Sequence, residues 1–379
     1  MRTKTLIVLA VVAVLAVAGA LLLQKRSAPD SSVADGVLLY PDLRPGLNDV
    51  ARIDVTAPGA DAPLLLERRE NGWVVVPKSG YPADAGKIRQ LLLRLSDARI
   101  VEVKTSNPEL YSRLDLADTG DGGGTLLVIG APADVSLLVG SRGAAGGSGT
   151  YVRRQGEAQS YLVDVDLDVG GAPADWLDRD LFDVDAGAVN RVVITHPDGE
   201  TLELIRVGEL LVAAGIPSGR ELSNIGAAQP IARGLAGLRL DDVVPVSEFD
   251  GAEPEATVEY HLDDGRRITA QAWRKGDGRW LAFNVGMDPP PAESVPAQPE
   301  AGPPAQDDGA QTARGEAGAP AAGAAGAESG EQGGTRQRAD PESVAKEDAA
   351  LSGWVFEVPV HRYEQMVRRM EDLLKPKAQ

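Results

Sequence analysis

Cysteine is absent from this chain. That excludes a disulfide-stapled scaffold, thiol catalysis, Cys-ligated zinc and a lipid anchor on an N-terminal Cys. Histidine occurs three times and aromatic side chains make up only 4% of the residues. A His-built metal centre therefore has few ligands to draw on, and each Trp weighs heavily in any core. Basic residues fall short of acidic ones, 38 against 56, for a net charge of −18. A nucleic-acid binder needs a basic surface to neutralise phosphates, so nucleic acid is excluded as a partner. What remains is 379 residues, 43% of them hydrophobic, enough for about two domains with real cores.

One long apolar run is present, Leu6 to Leu23. At ~1.5 Å per residue it spans about 27 Å, close to the hydrocarbon thickness of a bilayer. Arg2 and Lys4 precede it, and Lys25 and Arg26 follow. Charges at both ends leave the positive-inside rule weak, and the acidic remainder marks the C-terminal side as the exported one. The expectation is an anchor over 1–26 in the cytoplasmic (inner) membrane, single-pass, with the bulk of the chain in the periplasm. The rival is a cleaved signal peptide, because Ala18-Gly19-Ala20 has the small-x-small spacing of a cleavage site. Residues 27–46 read as a tether.

Beyond the tether, strand and helix signals recur in one order. Val50–Val55, Leu64–Arg69 and the Asn71-Gly72 turn into Trp73–Val76 read as strands and a hairpin. Asp84 opens a helix whose Ile88, Leu91, Leu92 and Leu95 share one face, and the strand Ile100–Val103 follows. Val189–Ile194, Thr201–Val207 and a helix after Pro230 repeat that order. Ile231, Leu235 and Leu238 stand at a constant offset of 143 from Ile88, Leu92 and Leu95. The second halves also correspond. Strands at 125–130, 135–140, 151–154 and 161–167 are answered by strands at 257–262, 267–273, 280–285 and 354–360.

The predicted fold class is α+β: two tandem repeats of antiparallel sheet with packed helices, after one N-terminal transmembrane helix. The repeats are placed at 47–186 and 187–379. The second is interrupted at 288–351 by an Ala/Gly/Pro-rich insertion without Phe, Trp or Tyr, expected to be disordered because it has too little apolar surface to offset its ordering entropy. Trp280–Val285 and Trp354–Val358 are expected to pair across it, as Tyr151–Arg154 and Tyr161–Val165 pair across a short turn. A short helix is expected near 173–181 and a longer one over 361–375.

No constellation carries chemistry, and no catalytic, cofactor-binding or metal-ligating residues are assigned. His196, His261 and His361 have no ligand spacing. Asp164, Asp166, Asp168 and Asp175 mimic part of a calcium loop, but Val169 stands where the loop needs Gly and Asp175 where it needs a bidentate Glu. The interleaved Val163, Val165, Leu167 and Val169 read instead as a strand with a wet acidic face. The glycine clusters at 121–125 and 140–150 lack the Lys-Ser/Thr of a phosphate loop. Ser343 and Lys346 have the spacing of a Ser-Lys pair but fall in the insertion. Trp73, Trp176, Trp273, Trp280 and Trp354 read as core anchors, with a ligand platform as the sharper alternative. Arg362, Arg368, Arg369, Lys375 and Lys377 give the C-terminal helix a basic face, solvated or turned to an acidic partner.

NGWVVVP with YPADAGKIRQLLLRL, then YSRLDL, TYVRR with SYLVDV, and ADWLDRDLF give the chain its resemblance. Over about Val50 to Val184, and more faintly beyond, it resembles an uncharacterised family of bacterial membrane-anchored envelope proteins carrying a domain of unknown function. Some members occur beside gliding-motility-type ABC transport auxiliary components. Asp115 stands where this family often has Gly after the Tyr-x-Arg-Leu element. The resemblance implies no catalytic residue and no cofactor. The expected function is a non-enzymatic membrane-tethered envelope protein acting by binding, accessory to ABC-type transport components or another envelope machine. The alternatives are a periplasmic enzyme acting on cell-wall polymer and a purely structural tether.

Overall fold

The computed structural model describes residues 36–118, 122–143, 149–289 and 338–376. The expected anchor, the first part of the tether, most of the insertion and Lys377 lie outside them. Among the described residues no helix is long and apolar enough to cross a membrane.

The first unit contains β1 (Val37–Leu38), α1 (Leu43–Gly46), β2 (Arg52–Thr56), β3 (Leu64–Arg69), β4 (Gly72–Val75), β5 (Tyr81–Pro82), α2 (Ala85–Asp97), β6 (Arg99–Val103), β7 (Thr125–Ile129), β8 (Val135–Arg142), β9 (Thr150–Arg154) and β10 (Ser160–Val163). Its ten strands lie in the order β1-β6-β10-β9-β8-β7-β2-β3-β4-β5. After β11 (Asp180–Phe182), the second unit contains β12 (Val189–Thr195), β13 (Thr201–Val207), β14 (Leu210–Ala213), α3 (Gln229–Ala232), β15 (Leu238–Arg239), β16 (Asp242–Pro245), β17 (Ala256–Leu262), β18 (Arg266–Lys275), β19 (Gly278–Met287), α4 (Pro341–Leu351), β20 (Trp354–Glu357), α5 (Val360–Met366) and α6 (Met370–Leu373). Its eight strands lie in the order β14-β13-β12-β17-β18-β19-β20-β16. Leaving out β1 and β5, the first sheet has this same order element by element, read from the other end. Every named strand pairing is antiparallel.

Alternation explains which face of each sheet is covered. Ile53, Val55, Leu64 and Leu66 point inward from β2 and β3, and Val258, Tyr260 and Leu262 from β17. Asp84 caps α2 by accepting from the Lys87 amide at 2.8 Å. Ile88, Leu91, Leu92 and Leu95 are buried beneath that helix. The two units share one hydrophobic core. They meet where Tyr81 stands edge-on to Trp354, ring centroids 5.1 Å apart, beside the Lys78–Asp242 ion pair. The short ladder of β11 with β15 ties them again.

The expected pairing across the insertion is present: Trp280 lies opposite Glu357 and Leu281 opposite Phe356, as Tyr161 lies opposite Val152 in the first unit. Asp115 takes a left-handed φ of 54°, a conformation that Gly adopts without strain.

Several expectations need correction. The tether ends sooner than Gly46, because Val37 and Leu38 add a strand to the first sheet and Leu39 and Leu43 are buried. The insertion ends sooner than Leu351. Residues 341–351 form α4, capped by Asp340 and buried at Val344 and Leu351. That helix covers the part of β19 beyond β20, and Asp348 accepts from the Val285 amide at 2.8 Å, which satisfies an otherwise open sheet edge.

The acidic strand stops at Val163; Asp164 onward is irregular. The helix expected near 173–181 is a single 3₁₀ turn, Pro173–Trp176, followed by β11. The C-terminal helix is broken into α5 and α6, with Val367 to Arg369 between them. The second unit's counterpart of α2 is one turn long, and Leu238 lies in β15 rather than on a helix.

Candidate functional site

The residues considered from sequence do not assemble. His196 and His261 lie toward opposite ends of the β12–β17 ladder. The His196 ring nitrogen Nδ1 is 3.2 Å from the Glu255 carbonyl, and His261 Nδ1 is 2.7 Å from Asp288 Oδ2. His361 is exposed in the first turn of α5. Asp164 accepts from the Arg99 amide, Asp166 pairs with Arg142, and Asp175 folds back onto the Ala172 amide. These carboxylates are thus engaged with separate local partners. Among the described residues no group of three His, Asp or Glu is placed to hold a metal ion. Ser343 and Lys346 sit on α4, where the Ser343 amide donates to the Asp340 cap.

Trp176 is fully buried and donates to the Gly170 carbonyl. Trp273 is buried as well, while Trp73, Trp280 and Trp354 are only partly covered. The basic C-terminal face is largely neutralised within the chain. Arg369 pairs with Asp198 and Glu200, Lys375 with Glu221, and Arg362 donates to the Arg233 carbonyl. The backbone amide of Glu200 and then Arg369 hold the Asp198 carboxyl below its usual range. Burial pushes Glu200 up, but Arg369 and the Met370 amide outweigh it and the net shift is downward.

A different surface stands out. Two of α2's sides are committed: its buried Leu and Ile residues face the sheet, and on the next side Lys87 donates to the Asp175 carbonyl and lies 4.8 Å over the Trp176 ring while Arg94 donates to the Asp166 carbonyl. The remaining side carries Arg89 and Leu93. Leu93 is 45% exposed, unusual for a Leu within a helix that buries four other large aliphatic residues. Between this side of the helix and the β3–β4 hairpin runs a groove of about 340 Å³. Leu47, Val50, Trp73 and Leu93 supply apolar wall, and Arg68 and Arg89 supply charge. No carboxylate lines it. Arg68 donates to the Asn48 carbonyl, and Arg89 has no hydrogen-bond or ion-pair partner among the described residues. A second, more open hollow continues past Arg89 and Leu93 to Arg94 and Val165. Its one carboxylate, Asp97, is engaged by Arg44.

The sequence reads Trp73 as a core anchor, with a ligand platform as the sharper alternative, and assigns α2's outer side no role. The signal was nevertheless present. In Leu91-Leu92-Leu93 the third Leu falls outside the buried periodic set and stands between Arg89 and Arg94.

The model of a family described as a domain of unknown function, DUF4340, matches residues 73–265, just over half of the chain, beginning at the groove's own Trp73. No curated protein and no solved structure matches it.

Proposed function

The chain belongs to the DUF4340 family, whose matched region holds α2 and one wall of its groove, and from that premise we propose that it is a non-enzymatic envelope protein that acts by binding. The observation that carries this reading is the groove: an exposed Leu and a half-buried Trp between two cations, with no carboxylate in its lining. Isolated surface Leu residues are ordinary, but an apolar groove rimmed by charge is the anatomy of an interaction site.

The rest of the proposal extends the sequence reading. The Leu6–Leu23 run anchors the chain in the inner membrane with its folded units in the periplasm. The two units are copies of one ancestral unit, which the shared strand order supports. The partner belongs to an envelope machine, with ABC-type transport components as the first candidates. Purification of the full chain from detergent-solubilised native membranes tests this. A stoichiometric membrane or periplasmic partner is the expected result. A chain recovered alone from mild detergent, after cross-linking as well as before it, contradicts the reading.

A further inference from the structure

Resting on the binding reading, we infer that the α2 groove receives an acidic, aliphatic peptide segment of a partner protein. Its carboxylates meet Arg89 and Arg68, and its apolar side chains lie between Trp73 and Leu93.

Charge carries the first part of the argument. The chain as a whole is at −18, so a partner that is merely acidic is repelled by most of its surface. In the groove the balance reverses, because the lining has Arg68 and Arg89 and no carboxylate. The nearest acidic residue in the continuing hollow, Asp97, is already neutralised by Arg44 at 2.8 Å. A cleft of one sign with apolar walls focuses its field on what enters it. Arg89, without a partner among the described residues, has its guanidinium fork free for a carboxylate.

Shape carries the second part. The two hollows share Arg89 and Leu93, so they adjoin on either flank of that line of α2. A thirteen-residue helix is about 20 Å long, and an extended chain covers that length in about six residues. A volume of about 340 Å³ holds a few side chains rather than a folded domain. The walls decide the ligand class. Leu47, Val50 and Leu93 are aliphatic, Trp73 is partly covered, and the neutral amide side chains are Asn48 in the groove and Gln90 in the adjoining hollow. Aliphatic side chains fit those walls, whereas a sugar needs converging neutral hydrogen-bonding groups and an open aromatic face.

The test is selection from a random peptide display library on the full-length chain in detergent micelles, with the Arg89→Glu/Leu93→Ser double variant as counter-selection. Both side chains are exposed, so circular dichroism melts of the variant should overlay the wild type; Arg89→Ala and Leu93→Ala serve as milder controls. Enriched sequences should combine Asp or Glu with Leu, Ile or Phe. A synthetic peptide carrying the enriched sequence should lose at least about tenfold in affinity on Arg89→Glu and should weaken with added salt.

Enrichment of neutral or basic sequences, or equal binding by the double variant, overturns the inference. So does the result that anionic lipid vesicles or an acidic polysaccharide bind in an Arg89-dependent way while no peptide does. The two levels of the account separate cleanly. A co-purifying partner retained equally by the double variant removes the groove and leaves the binding reading intact. A peptide bound in the groove with no partner in the membrane removes the envelope-machine partner and leaves the groove inference intact.

Discussion

The two units have the same strand order but are covered differently. In the first, Ala85–Asp97 is an unbroken helix with an outer side left open as a groove. In the second, the corresponding stretch is helical only over Gln229–Ala232, and the space is taken by the C-terminal helices, whose Tyr363 and Met366 are completely buried. The difference is written in two residues. Gly234 and Gly237 stand where α2 has Leu91 and Arg94. A Cβ on Gly234 would lie 2.5 Å from the Tyr260 hydroxyl and 2.8 Å from Met366 Cγ, and Gly237 takes a left-handed φ of 55°. Beyond the single turn that holds Ile231, the apolar positions Leu235 and Leu238 remain fully buried without a helix. Core positions therefore outlast the secondary structure that presents them, and a surface can be lost from one unit while its sheet is kept.

The largest expected effects come from the cores. Leu92→Ala and Leu235→Ala should each cost about 2–5 kcal/mol in urea or thermal unfolding, with similar values despite the different local structure. A Leu235→Ala cost below that range would mean that the second unit's apolar register is only coincidental.

Next come the exchanges that define the difference. Gly234→Ala should destabilise by about 1–3 kcal/mol, because the new methyl meets Tyr260 and Met366 in a closed space. At the other position, Arg94→Gly, which gives α2 the residue of Gly237, should cost about 1 kcal/mol, mostly as lost helix propensity. A Gly234→Ala variant with an unchanged thermal midpoint would show that α5 does not fill the site as described. At the sheet edge, Asp348→Ala leaves the Val285 amide without its acceptor and should cost about 1–3 kcal/mol. A deletion ending at Gln337 should leave the midpoint in place, whereas one extending through Glu347 should lower it because most of α4 is lost.

The smallest effects are electrostatic and have opposite signs. Burial, then Asp242 and Asp241, push Glu357 at the unit boundary above its ordinary value of 4.5, with Lys78 opposing. Its stabilising contribution is present below that ordinary value and fades as pH rises through the folded pKa, so Glu357→Gln should raise the midpoint slightly at neutral pH. Glu200 is shifted down from 4.5. Its pairing with Arg369 therefore contributes at neutral pH and is lost as pH falls through the folded pKa. Arg369→Ala should lower the midpoint at neutral pH, with the difference from wild type closing in acid. A difference that grows on acidification would contradict that assignment.

Much of the fold was legible in the sequence because hairpins and cross-strand alternation are local. Ile53, Val55, Leu64 and Leu66 declare their faces by period alone, and the constant offset between Ile88 and Ile231 aligned the two units. The helix in the second unit was over-read because apolar spacing cannot reveal that Tyr260 and Met366 occupy the space beside Gly234. The insertion was over-extended for a similar reason. Pro341–Leu351 has few apolar residues, and only the open edge of β19 explains why Val344 and Asp348 hold it. The candidate site was the least legible part. Leu93 was visible as an extra Leu, but the groove exists only because the β3–β4 hairpin places Trp73 and Arg68 opposite Arg89.

The central claim is that partner binding belongs to the helix side of the first unit. Its most direct test is site-specific photo-cross-linking in native membranes. A photoreactive residue replaces Leu93 in the groove or, as the comparison position, Val207, which is 65% exposed on the second unit's sheet. The account predicts a discrete cross-linked partner from position 93, abolished by Arg89→Glu, and none from position 207. A partner captured from position 207 alone, or from position 93 regardless of Arg89, would contradict it.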